Sequence, residues 1–137
     1  MHEPTAIVRL IGVYDADHTL RGELSYWVGA RFGTRHCSLC EITHGTFGPT
    51  KQWRECQSAS AAPFDTFHRD DQPGATRALN EPYPFVAVET PAATIRLLTA
   101  ADLAGCSGSL DAMNALIEAA LADRNLTWPE PNSAPAA

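Results

Sequence analysis

Two hydrophobic periods alternate along this chain, and the switches between them mark its elements. Ala6-Ile7-Val8-Arg9-Leu10-Ile11-Gly12-Val13-Tyr14 is an apolar, β-branched run that predicts a buried first strand. The polar turn Asp15-Ala16-Asp17-His18-Thr19 follows and offers N-cap residues. Over residues 20–32 the apolar positions Leu20, Leu24, Trp27, Val28 and Phe32 recur at helical spacing, and Gly33 stops the helix. A short helix is expected around Cys37–His44. Gly45-Thr46-Phe47-Gly48-Pro49 then breaks the chain, and Thr50 can cap another short helix carrying Trp53 and Cys56.

Beyond a small-residue connector at 58–63, Phe64-Asp65-Thr66-Phe67-His68 alternates as a second strand. A short helix is expected near residues 75–79. Phe85-Val86-Ala87-Val88-Glu89 and Thr94-Ile95-Arg96-Leu97-Leu98 read as third and fourth strands joined by a tight turn. Thr99 opens a short helix that Gly105 ends. A longer one spans about 109–124, with Leu110, Met113, Ile117 and Leu121 as its stripe. The Pro-, Ala- and Ser-rich tail, residues 126–137, is expected to be disordered. Residues 1–125 thus form one α/β domain with a four-stranded mixed sheet flanked by helices. A helical insert, 34–63, comes after the first helix.

This order, β-α-(helical insert)-β-α-β-β-α, resembles the thioredoxin-like fold. Its last part, a β-hairpin followed by a helix, matches the C-terminal half of that fold. Tyr83-Pro84 lies directly before the third strand, where that family places a cis-proline, so the resemblance implies a cis bond there. The opening Val13-Tyr14-Asp15-Ala16-Asp17-His18-Thr19-Leu20-Arg21 resembles the start of the DCC-type thiol-disulfide oxidoreductases, whose pattern is roughly YDGDCxxC. Where that family carries its two cysteines, this chain has His18 and Arg21. The resemblance therefore brings no oxidoreductase site onto the first helix.

Charge and composition narrow the function classes. A net charge of −6 without a basic stripe argues against nucleic acid as a partner. No apolar run approaches the length of a membrane span, and Met1-His2-Glu3-Pro4 lacks the basic n-region of a signal peptide. A cytoplasmic setting is expected, where thiols stay reduced. The four cysteines then point to metal, redox chemistry or plain burial. Cys56 and Cys106 read as small core residues. Gly45-Thr46-Phe47-Gly48-Pro49-Thr50-Lys51 fails the spacing of a phosphate loop and follows no strand, so no nucleotide is expected. Ser107-Gly108-Ser109 makes no nucleophile elbow.

Chemistry concentrates in His36-Cys37-Ser38-Leu39-Cys40-Glu41-Ile42-Thr43-His44. Cys37, Cys40 and His44 fall at i, i+3 and i+7, one face of a helix. Ser38-Leu39-Cys40-Glu41 has the form of a capping box with Ser38 as N-cap, and Gly45 fits a C′ position. Cys40 in the first turn would then favour its thiolate.

Three readings follow. In the first, Cys37, Cys40 and His44 bind Zn or Cu, with His36 or His68 as fourth ligand, for metal handling or a metal-assisted reaction. In the second, Cys37 attacks and Cys40 resolves in thiol–disulfide exchange with a thiol or disulfide partner. In the third, the domain binds a partner without chemistry. Asp15, Asp17 and His18 end the first strand, and His68, Arg69, Asp70 and Asp71 end the second; as neighbours they would make a polar cluster. A helix leaving one sheet edge ends near the other. The spacing alone therefore leaves Cys37 and Cys40 at either edge, and the insert is long enough to fold back.

Overall fold

The computed structural model describes residues 3–15, 37–45 and 48–129. The helix expected over 20–32, together with Asp17, His18, Arg21 and His36, lies outside them.

The described elements begin with β1 (Thr5–Ala6) and β2 (Arg9–Val13). A helical region follows: α1 (Ser38–Thr43), the two-residue strands β3 (His44–Gly45) and β4 (Gly48–Pro49), and α2 (Lys51–Ala59). Then come β5 (Phe64–Phe67), α3 (Gly74–Arg77), β6 (Phe85–Glu89) and β7 (Thr94–Leu98). The chain closes with α4 (Ala100–Gly105), α5 (Leu110–Asp123) and β8 (Leu126–Thr127).

Four strands form the central mixed sheet, in the order β5-β2-β6-β7. β2 runs parallel to β5, with Leu10 opposite Phe64 and Val13 opposite Phe67. It runs antiparallel to β6, with Val13 opposite Phe85. A parallel pair needs a crossover between its strands, and α1 and α2 belong to that connection.

Successive side chains of β2 point to opposite faces. Leu10 joins Phe64, Val86 and Val88 in the core under α1, α2 and α5. Ile11 and Val13 join Phe85 and Ala87 on the other face, with Phe67, Leu79 and Tyr83 packed against them. Burial on both faces accounts for the near-continuous apolar run of this strand. At Gly12 α1 comes close to the sheet: a Cβ there would lie 3.1 Å from Leu39 Cδ2 of α1.

Helix starts follow local capping chemistry. Thr50 and Ser109 accept N–H groups of Trp53 and Ala112, and Thr99 with Asp102 forms a full capping box. The Tyr83–Pro84 bond is cis.

Two expectations change. Leu126–Thr127, placed by composition in a disordered tail, form β8 and pair in parallel with β1. Trp128 Nε1 donates to Glu118 Oε1 at 2.8 Å. Pairing with a distant strand supplies the order that local composition does not. The break expected at 45–49 carries the β3–β4 pair, with His44 opposite Pro49.

Candidate functional site

The carboxyl end of β2 is where the site assembles. Tyr14 continues the pairing past the strand, its N–H donating to the Phe67 carbonyl at 2.8 Å. Its side chain is 4% exposed. Beside it lies the start of α1. Cys37, not Ser38, is the N-cap: its sulfur accepts the Cys40 N–H at 3.3 Å. This corrects the capping box expected from Ser38 and Glu41. Ser38 is instead a buried helical residue and Glu41 is exposed. The Glu41 N–H, which a Ser38 cap would have served, instead donates to the Cys37 carbonyl at 3.0 Å, so the helix begins one residue earlier.

The Cys40 S–H points at Cys37 Sγ, with the sulfur atoms 2.6 Å apart, and both residues are free thiols. Cys37 is fully enclosed and Cys40 is 6% exposed. The Cys37 thiol lies below its ordinary range. The Cys40 S–H contributes most to this, and backbone hydrogen bonds from Asp15 and Cys40 add to it. They outweigh enclosure and the nearby Asp15 carboxylate, which act the other way.

His44 does not continue the cysteine face of the helix. α1 ends at Thr43, and His44 takes an extended conformation, φ −120° and ψ 145°, to pair with Pro49. Its Nδ1 lies 2.7 Å from the Thr43 hydroxyl, which is 2.9 Å from the Tyr14 hydroxyl. The His44 ring meets Tyr14 edge-on at 5.3 Å between centroids. His68, at the tip of β5, packs on the same tyrosine at 5.6 Å, and its Nδ1 is 3.4 Å from Asp71 Oδ2. Burial pushes the Tyr14 hydroxyl up to about 12; the Thr43 and Thr66 hydroxyls oppose the shift and the two cysteines add to it.

The polar tips of the two parallel strands do meet. Arg69 reaches Asp15 Oδ1 at 3.2 Å, and Arg77 donates to the Asp70 carbonyl. Cis-Pro84 stands at this edge too, since Phe85 pairs with Val13. The insert therefore brings Cys37 and Cys40 to the carboxyl ends of β2 and β5, on the same edge as His44 and His68. Two members of the cluster, Tyr14 and Thr43, carried no assigned role in the sequence. Tyr14 sits in the YDxD stretch at a strand end, which was the available signal. Thr43 gave none.

Among the described residues, no three of His, Cys, Asp and Glu are grouped so as to hold a metal ion. Cys106 is a core thiol raised by burial, its sulfur 3.4 Å from the Asp102 carbonyl. Cys56 is half-buried beside Asn114. No helix among the described residues is long and apolar enough to cross a membrane. No family model matches the chain, and no curated protein or solved structure matches it significantly.

Proposed function

We propose that the protein is a thioredoxin-like thiol–disulfide exchange protein whose reactive pair is Cys37 and Cys40. The juxtaposition of the two sulfur atoms, 2.6 Å apart at a strand's carboxyl end, carries the reading. The thiolate-favouring hydrogen bonds on Cys37 supply the nucleophile. The resemblance to DCC-type oxidoreductases gains a spatial counterpart. Their cysteines follow the YDxD stretch directly, at the positions of His18 and Arg21; here Cys37 and Cys40 reach the end of the same strand from 19 residues further along the chain.

In the exchange, Cys37 thiolate attacks one sulfur of a substrate disulfide. A Cys37–substrate mixed disulfide forms and one substrate thiolate leaves. Cys40 thiolate then attacks Cys37 Sγ, forming the Cys37–Cys40 disulfide and releasing the second substrate thiolate. Two electrons pass from the dithiol to the substrate, and the two thiol protons end on the substrate sulfurs. Because both cysteines are enclosed, exchange with an external disulfide depends on local opening over Cys37.

A soft metal, Zn or Cu, on the same two sulfurs is the competing proposal, and one experiment separates the two. The protein is purified without chelator, analysed for metal and thiols, then mixed with one equivalent of a small disulfide. The exchange reading expects two substrate thiols released per chain and loss of two protein thiols; Cys37→Ser loses both effects, and Cys40→Ser stops at the mixed disulfide, with one substrate thiol released and one protein thiol lost. Stoichiometric Zn or Cu, lost in Cys37→Ser, with no thiol release from metal-free protein, would overturn it in favour of the metal.

A further inference from the structure

A cleft of about 570 Å³ opens between α2 and α5, with Trp128 on one of its walls. Its floor is apolar: Leu10 and Phe64 of the sheet and Ile117 of α5 line it, and all three are buried. Carboxylates border it from both helices, Glu55 on α2 and Asp111 and Glu118 on α5. Asp111 and Glu118 stand two helical turns apart and so share a face of α5. Among the described residues, no Lys, Arg or His lines the cleft. Glu55 does pair with Lys51 at 3.8 Å, but both side chains are largely exposed, and such a pair contributes little. Glu118 Oε1 accepts the Trp128 indole N–H at 2.8 Å, which holds the ring beside the carboxylates.

We propose that this cleft binds a small organic cation, an amine or quaternary ammonium carried on an apolar body. A volume of this size is that of a small-molecule site. The floor takes the hydrocarbon part and excludes water from it. Carboxylates of one sign around low-dielectric walls focus a negative potential into the cleft, and an indole face adds attraction for an ammonium group. Residues 130–137 carry Glu130 and no cation, so their charge does not complement the cleft. Cys37 and Cys40 do not line it, and the proposal is independent of the exchange chemistry. Cys56 does line it, half-buried with its sulfur 4.0 Å from Asn114 Oδ1, and serves as a reporter of occupancy.

The test uses three probes of one shape and different charge on the full chain: phenylbutylamine, phenylbutanol and phenylbutyrate. Calorimetry gives their affinities, and mass spectrometry follows iodoacetamide labelling of Cys56 and Cys37 in their presence. An exposed carboxylate favours a nearby cation by a factor of about 2–5, so with three of them the amine should bind at least about tenfold more tightly than the alcohol. The anion should bind more weakly than either. Glu118→Gln, which keeps an acceptor for Trp128, and Asp111→Asn should each lower the preference for the amine by about 2–5-fold. At equal concentration the amine should slow labelling of Cys56 most and leave Cys37 unchanged. Equal binding of amine and alcohol by the wild type would overturn the proposal, and this comparison needs no variant to fold. Absence of amine binding would also overturn it, as would binding that leaves Cys56 unprotected, which places the amine elsewhere. Binding that emerges only when residues 130–137 are removed would assign the cleft to that segment and overturn it too.

Discussion

Tyr14 shows how a single side chain can tie this site together. Its hydroxyl bridges toward Thr43 on α1, its ring carries His44 and His68, and its main chain extends the β2–β5 pairing. Burial raises its ionisation to about 12. In the unfolded chain a tyrosine titrates near 10. Below that pH both states keep the proton, and the stabilisation from the neutral hydroxyl is fully present. As pH rises toward 12 the unfolded state loses its proton first, so stability falls through that window, by roughly 2–3 kcal/mol in all. Absorbance at 295 nm, compared between wild type and Tyr14→Phe, checks this. The difference curve should rise near pH 12, and a transition near 10 in the folded protein would show that the hydroxyl is not enclosed. Cys37 shows the opposite case. Hydrogen bonds to its sulfur lower its ionisation although the residue is enclosed, because they favour the charged form more than desolvation disfavours it.

At the scale of elements, the seat of α1 on the sheet decides where the cysteines lie. Leu39, between the two cysteines, is fully buried and stands over Gly12 of β2. A methyl group at Gly12 would meet Leu39 Cδ2 at 3.1 Å, so the leucine would have to give way. Gly12→Ala should cost about 1–3 kcal/mol by overpacking and should change the alkylation rate of Cys37 by shifting α1. Adding Leu39→Ala opens the space again, so the double variant should be less unstable than the sum of the two single costs. Denaturant unfolding of the three variants measures this, and simple additivity would show that the two residues do not press on each other. The segments whose structure rests on local chemistry matched their reading closely. Phe85–Glu89 and Thr94–Leu98 appear with the expected bounds, and Thr50, Thr99 and Ser109 cap the helices they precede. The helix at the cysteines did not, because a sulfur took the capping place of a hydroxyl and a two-residue strand pair took His44 out of the helix.

For the molecule as a whole, the two ends of the sheet do different work. The carboxyl end of β2 gathers the thiols, the histidines and the polar strand tips. The amino end is closed by β1 and β8, with the Ile7 N–H donating to the Thr127 carbonyl at 2.9 Å. Trp128 adds a hydrogen bond to Glu118 and walls a cleft of about 570 Å³ between α2 and α5. Ending the chain at Asn125 removes these contacts and should lower stability by about 1–3 kcal/mol, with the reactivity of Cys37 unchanged at the far edge. Chemical denaturation with a parallel alkylation assay tests both parts. An unmoved midpoint would mean that the β1–β8 pair contributes nothing, and a changed alkylation rate would mean that the two ends are not independent.

The sequence by itself determined what depends on neighbours along the chain. Periodicity placed the four central strands and the last helix, small polar residues marked the starts of α2, α4 and α5, and the CxxC pair singled out the candidate thiols. Only the tertiary structure decided which edge of the sheet those atoms occupy. The spacing of Cys37 and Cys40 permitted either edge, and the choice depends on how α1 packs over Gly12 beside Tyr14, contacts between residues far apart in sequence. The same holds for Thr43. Its hydroxyl acquires a role from Tyr14, 29 positions earlier, and from the turn that sends His44 into a strand. Local pattern carries neither, because hydrogen-bond partners across the fold are set by packing.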